Sequence, residues 1–201
     1  MLHIYVPTIY YRRMPYRYTK REGDSQYFYV WNTARAGKSL FRTEQDYRHF
    51  VARLSRDDMP KSCKVIAYCL LRNQYHVVLT ERQPGGIAKF MHKLNVAYAM
   101  YFNARYDADG KLFAGPYGDR QLQDLDDLAI TVAQLHRAPL AFGLTPATYI
   151  WSSYRGYIKP QAEWLHKEPL REYFNVSDLA VAVDHFTATV VTAPLPYRPK
   201  P

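Results

Sequence analysis

Residues 65–81, VIAYCLLRNQYHVVLTE, decide the fold. Two apolar runs, Val65–Leu71 and Tyr75–Glu81, flank Arg72-Asn73, a pair suited to a tight connection, so they predict adjacent antiparallel strands. Upstream, Gln26–Asn32 reads as a further strand, and Thr43 with Asp46 forms a capping-box pattern that opens a helix over Glu44–Arg56. Tyr47, Phe50, Val51 and Leu54 make its core-facing stripe. Downstream of Pro84-Gly85-Gly86, the helical recurrence of Ile87, Phe90, Met91, Leu94, Tyr98 and Tyr101 predicts a long amphipathic helix reaching about Arg105. A turn over Asp107–Gly110 leads to a strand near Tyr117–Gln123. Asp124, Asp126 and Asp127 then favour a helix start, and that helix must stop before Pro139.

The order strand, helix, strand, strand, helix, strand, helix predicts an α+β fold, a ferredoxin-like βαββαβ core with an antiparallel sheet backed by helices. Three regions are expected. Residues 1–25 carry Arg12, Arg13, Arg17, Lys20 and Arg21 among five tyrosines and read as a basic aromatic arm, residues 26–158 form the core domain, and residues 159–201 form a C-terminal extension. The extension is expected to hold a helix over Ser177–Val190 and an extended tail, APLPYRPKP.

The chain has 27 Lys and Arg against 18 Asp and Glu, a net charge of +9, which favours a polyanionic partner through counterion release. Anionic lipid or a plain solvated surface would explain the charge as well. Tyrosine is abundant, 19 of 201 residues, and exposed tyrosines beside arginines would offer stacking surfaces for unpaired bases. For any single tyrosine, a half-buried core position with a wet hydroxyl is the ordinary alternative. Cys63 and Cys69 form no metal or disulfide pattern and read as reduced thiols. MLHIYVPTIYYRR has no export-signal pattern, and the longest uncharged stretch, Ala138–Tyr154, is interrupted by Pro139, Gly143 and Pro146. A cytoplasmic protein with no membrane partner is expected.

Four ordered blocks carry a resemblance: FYVWNTARAGKSLFRTEQDYRHFVARL, VIAYCLLRNQYHVVL, KFMHKLNVAYAMYFNARYDADGKLFAGPY, and GLTPATYIWSSYRGYI preceded by a helix. Together they resemble the single-tyrosine HUH transposases, particularly the REP-associated branch, over about residues 26–158. The resemblance implies a strand bearing His-hydrophobic-His, whose period of two sets both imidazoles on one face to hold a divalent metal. It also implies a tyrosine on the last core helix that attacks the scissile phosphate, with a polar residue one turn later completing the metal shell.

Most of these positions are replaced. The metal pair stands as Gln74 and His76, and the nucleophile pattern falls on Gln134-Leu135-His136-Arg137-Ala138-Pro139, so Gln134 replaces the tyrosine and Ala138 the polar residue. Gln134 has no hydroxyl and cannot form the phosphotyrosine ester. Gln74 can offer a carbonyl oxygen beside His76, so Mg²⁺ or Mn²⁺ is expected only if activity remains, and no other cofactor is expected. Tyr98, Tyr101, Tyr149, Tyr154 and Tyr157 are conceivable substitute nucleophiles. The resemblance implies single-stranded or hairpin DNA as partner, with RNA open and a homodimer conceivable. Arg12, Arg13, Arg17, Lys20 and Arg21 of the arm, Arg35 and Lys38 of the first loop, and Lys89, Lys93 and Arg105 of the long helix are the candidate phosphate contacts. The leading expectation is an inactive nucleic-acid-binding relative; the alternatives are a residual metal-dependent transposase or nuclease and a protein-interaction scaffold.

Overall fold

The computed structural model describes residues 26–56, 58–159 and 163–190. Strands β1 (Gln26–Thr33), β2 (Cys63–Leu71), β3 (Gln74–Glu81) and β4 (Gly118–Gln121) form one sheet in the order β2-β3-β1-β4, and every neighbouring pair is antiparallel. β3 sits between β1 and β2, the split arrangement expected of a ferredoxin-like core. β4 is shorter than the strand expected over Tyr117–Gln123. The Gln123 N–H donates to Asp127 Oδ2 at 3.1 Å and the Asp127 N–H to Asp124 Oδ1 at 2.8 Å, so the chain has already turned into the next helix.

One face of the sheet is covered by α1 (Glu44–Leu54) and α2 (Gly86–Tyr106). α1 begins where the buried Asp46 carboxylate reaches back to the N–H groups of Arg42 at 2.8 Å and Thr43 at 2.9 Å. The Phe50 ring joins this layer to the sheet, 5.0 Å from Tyr75 and 4.9 Å from Tyr98 between ring centres. Glu81, the last residue of β3, accepts the Ile87 N–H at 2.9 Å, so the strand's own carboxylate stabilises the start of α2.

The opposite face carries α3 (Leu125–Arg137), which runs into a 3-10 turn over Ala138–Phe142. Arg120 of β4 grips α3 through a two-point ion pair to Asp127 at 2.6 and 3.0 Å and a bond to Thr131 Oγ1 at 3.0 Å. Outside α3 lie α4 (Tyr154–Ile158), α5 (Glu168–Phe174) and α6 (Leu179–Thr189). Tyr173, Phe174 and Phe186 cluster between α5 and α6, and Arg137 of α3 donates to the terminal carbonyls of α6, Thr187 at 2.9 Å and Ala188 at 3.3 Å. The described part of the C-terminal extension is thus docked on the core domain.

The outer edge of β2 is sealed by the chain that follows the 3-10 turn. Leu70 N–H donates to Trp151 O at 2.9 Å, Ser153 N–H to Tyr68 O at 2.8 Å, and His166 N–H to Val65 O at 2.8 Å. Two phenols complete the seal, Tyr149 donating to Leu70 O at 2.5 Å and Tyr157 to Ile66 O at 2.9 Å. Edge groups of β2 are satisfied in this way without a fifth strand among the described residues.

None of the tyrosines among the described residues is exposed. Several act as struts, ring in the core and hydroxyl on a fixed acceptor, as where Tyr98 donates to Leu40 O at 2.6 Å and Tyr75 to Asn95 Oδ1 at 2.8 Å. The arm residues Arg12, Arg13, Arg17, Lys20 and Arg21, and the tail APLPYRPKP, lie outside the described residues. Among the described residues no helix is long and apolar enough to cross a membrane.

Candidate functional site

Gln74 and His76 project from one face of β3, and Tyr75 between them projects from the other, where it meets Phe50 of α1. The register pairs His76 with Trp31, Val78 with Tyr29, and Tyr29 in turn with Arg120, which binds α3. The Gln74 and His76 face is therefore the face beneath α3. The other two positions of the resemblance-derived centre belong to the covering layer: Gln134 is half-buried on α3, and Ala138 is half-buried where α3 passes into the 3-10 turn.

Its chemistry is subdued. His76 is 1% exposed, with Nδ1 2.7 Å from the Tyr29 hydroxyl, and burial pulls its imidazole down to about 3, so the ring is neutral at physiological pH. Its Nε2 is buried without a hydrogen-bond partner among the described residues. Tyr29 stacks on Trp31, with ring centres 4.8 Å apart, and Trp31 lies so close over Gly118 that a Cβ there would come within 2.6 Å of the indole. Tyr29 and Trp31 are members of the centre that residue motifs alone did not single out. The signal was the alternation 29, 31 in β1, which needs the register with His76 to acquire meaning.

A divalent cation at this centre would have to draw on His76 Nε2 and the Gln74 amide. Among the described residues no group of three or more His, Cys, Asp or Glu side chains converges to hold a metal. One neutral imidazole and one amide oxygen form a poor donor set for Mg²⁺ or Mn²⁺, which favour charged oxygen ligands. The residues present do not fit the ion.

The five conceivable substitute nucleophiles have other engagements. Tyr98 and Tyr157 donate to main-chain carbonyls and burial pushes both phenols up. Tyr149 donates to Leu70 O, Tyr154 to Asp184, and Tyr101 to Asp46 at 3.1 Å. His136, the residue two after Gln134, turns away from this centre towards Ser153.

The candidate phosphate contacts are dispersed. Arg35 is exposed and Lys38 donates to Asp109 O at 3.0 Å, both in the loop after β1, which is tied to the β2–β3 turn by the Ala34 N–H to Asn73 O bond of 2.8 Å. Lys89 is exposed one turn before Lys93 on α2, across the sheet from His76. Lys93 pairs with Asp58 at 3.2 Å, and Arg105 reaches Asp46 at 3.6 Å.

No family model and no curated protein matches this chain. Among solved structures, that of a REP-associated tyrosine transposase bound to a REP hairpin superposes with a TM-score of 0.57. The fold is transposase-like. The match covers 73% of this chain and 86% of that chain at 14% sequence identity, a likeness of fold in which side chains are largely different.

Proposed function

We propose that this chain is a nucleic-acid-binding protein of transposase-like fold that recognises hairpin or single-stranded DNA and no longer transfers strands. The observation that carries the reading is Gln134 on α3, an amide where the resemblance calls for a nucleophilic hydroxyl, above a β3 face whose metal pair is reduced to His76 and Gln74. An amide cannot form a phosphate ester, and the neutral, buried imidazole of His76 on β3 supplies no positive charge to polarise a phosphate. The net charge of +9 and the likeness to a hairpin-bound transposase support the binding half. No cofactor enters this reading.

The test is incubation of the protein with labelled hairpin and single-stranded oligonucleotides in Mg²⁺ or Mn²⁺, with binding, cleavage and covalent adduct read in parallel. Binding that weakens steeply with salt, with neither cleavage nor adduct, is the expected result. A covalent adduct would establish a residual transposase instead, and salt-insensitive or absent binding would favour a protein-interaction scaffold.

A further inference from the structure

Two helical surfaces on opposite sides of the sheet are opposite in charge. On the first side, Lys89, Lys93, Val96 and Met100 follow one another along α2 at intervals of four, three and four, which sets them on one ridge. Val96 is 43% and Met100 68% exposed, so apolar side chains stand in solvent beside the cations. α2 contains no Asp or Glu. Arg53 of α1 adds a half-buried guanidinium one turn beyond His49, whose ring stacks on Tyr101 of α2 with centres 3.7 Å apart. The described acids of this side are engaged within it. Glu44 holds Arg48 at 3.2 Å, Asp58 holds Arg56 at 3.0 Å and Lys93 at 3.2 Å, and the buried Asp46 binds Tyr101, Tyr106 and Arg105. Lys89 and Arg53 have no carboxylate partner among the described residues.

The far side has the reverse character. Along α6, Val181, Asp184 and Ala188 form an exposed stripe at intervals of three and four, with His185 beside Asp184 and Asp178 capping the start of the helix. α6 contains no Lys or Arg. Val181 is 64% exposed, Val176 in the preceding turn is 41% exposed, and Glu172 of α5 adds an exposed carboxylate. Arg171 is an exposed cation on α5, whereas Arg137 is spent on the last carbonyls of α6 and Lys167 on Gly156 O. Asp184 also accepts from Tyr154.

The net charge of +9 repels one copy from another, so a contact between copies must bring opposite signs together. α2 against α2 would set lysine on lysine; α2 against α6 sets cations on acids and valine and methionine on valine. We propose that α2 of one copy docks on α6 of the next, with Val96 and Met100 against Val181 and Ala188, and Lys89 and Arg53 towards Asp184 and Glu172. Because the two surfaces lie on opposite sides of the sheet, every pair leaves one of each unused, and the contact generates an open row of copies rather than a closed dimer. α6 has 11 residues and is about 16 Å long, so the contact belongs to the small, transient class. It does not depend on the nucleic-acid reading.

Sedimentation velocity of the full chain without nucleic acid tests it. The average mass should rise with concentration past that of a dimer. Met100→Glu sets an acid against the acids of α6, Val181→Lys sets a cation against the lysines of α2, and each should weaken association roughly tenfold. Each variant keeps one intact surface, so an equimolar mixture should form a species of two copies that neither forms alone at the same concentration and that does not grow. Both substitutions are at exposed positions, and a thermal melt shows that the variants are folded. A chain that is monomeric at every concentration, a closed dimer that mixing does not restore, or association that both substitutions leave unchanged overturns the proposal. Loss of hairpin binding in Met100→Glu, with no association of the unaltered chain, would give the ridge to nucleic acid instead.

Discussion

His136 Nε2 lies 3.0 Å from Ser153 Oγ, and the same hydroxyl meets the main chain of Tyr68 twice, accepting its N–H at 3.0 Å and donating to its carbonyl at 3.2 Å. With the one hydroxyl proton on Tyr68 O, the imidazole carries its own proton on Nε2 and donates. Three elements, α3, the sealing segment and β2, thus meet at one oxygen. His136 lies within the stretch Gln134–Pro139 on which the nucleophile pattern falls, and its work here is to lock the helix to the sheet edge.

Removing that oxygen should be costly. Ser153→Ala leaves the buried His136 Nε2 and the Tyr68 N–H without partners, and urea denaturation should show a loss of about 2–3 kcal/mol. A loss within ~0.5 kcal/mol, the range of ordinary surface changes, would mean that water replaces the hydroxyl.

Acid should weaken the fold early. Burial lowers His76 and His136 to about 3 from 6.5, so the unfolded chain takes up these protons first. Their contribution is complete above pH 6.5 and is lost as pH falls towards 3, with a slope of up to ~1.4 kcal/mol per pH unit for each ring. For Asp46, burial raises the carboxyl, but hydrogen bonds from Tyr106, Thr43, Arg42 and Tyr101 outweigh it and hold it below the usual 3.8, so its share is lost only at still lower pH. Urea midpoints should stay level from pH 7.5 to about 6.5 and then fall as the pH is taken to 4, and His76→Gln should flatten the curve. A midpoint independent of pH in that range would contradict neutral buried rings.

Gly118 is held glycine by its neighbour rather than by its backbone. A Cβ would stand 2.6 Å from the Trp31 indole, so Gly118→Ala must tilt Trp31 off Tyr29 and should destabilise by about 1–3 kcal/mol. Trp31→Leu in the same background should recover part of the loss, and full additivity in a double-mutant cycle would show that the two sites do not touch.

Chemistry should return only collectively. Gln74→His, Gln134→Tyr or Ala138→Asn alone should give no covalent adduct with a labelled single strand in Mn²⁺, because metal shell and nucleophile act as one unit. The triple variant is the minimum expected to yield one, detectable as a denaturant-resistant gel shift. An adduct from Gln134→Tyr alone would show that His76 with Gln74 can hold the ion.

The elements with strong periodicity were legible in the sequence. The β2–β3 hairpin, the stripe of α1 and the row from Ile87 to Tyr101 in α2 pack as their spacing dictates. α4 and α5, five and seven residues long, were not, because so short a helix has little pattern of its own and is fixed by contacts such as Tyr157 on Ile66 O. Tyrosine content was legible but ambiguous: suggestive of base stacking in sequence, the described tyrosines are none of them exposed, and Tyr75, Tyr98, Tyr149 and Tyr157 set their hydroxyls on fixed acceptors. Of the centre, the shared face of Gln74 and His76 followed from the strand period, whereas Tyr29 and Trp31 required the register.

The sealing of β2 by Trp151 and Ser153 governs how the sheet can meet other chains. A bare outer strand of nine largely apolar residues would invite lateral growth, copy upon copy, into a continuous ribbon. Here the docking positions on Tyr68 and Leu70 are already taken from within, and the opposite border, β4, is four residues long and carries Asp119 and Arg120. A sheet closed at one side and short and charged at the other is protected against self-templating, so copies of the chain can be crowded together without adding strand to strand.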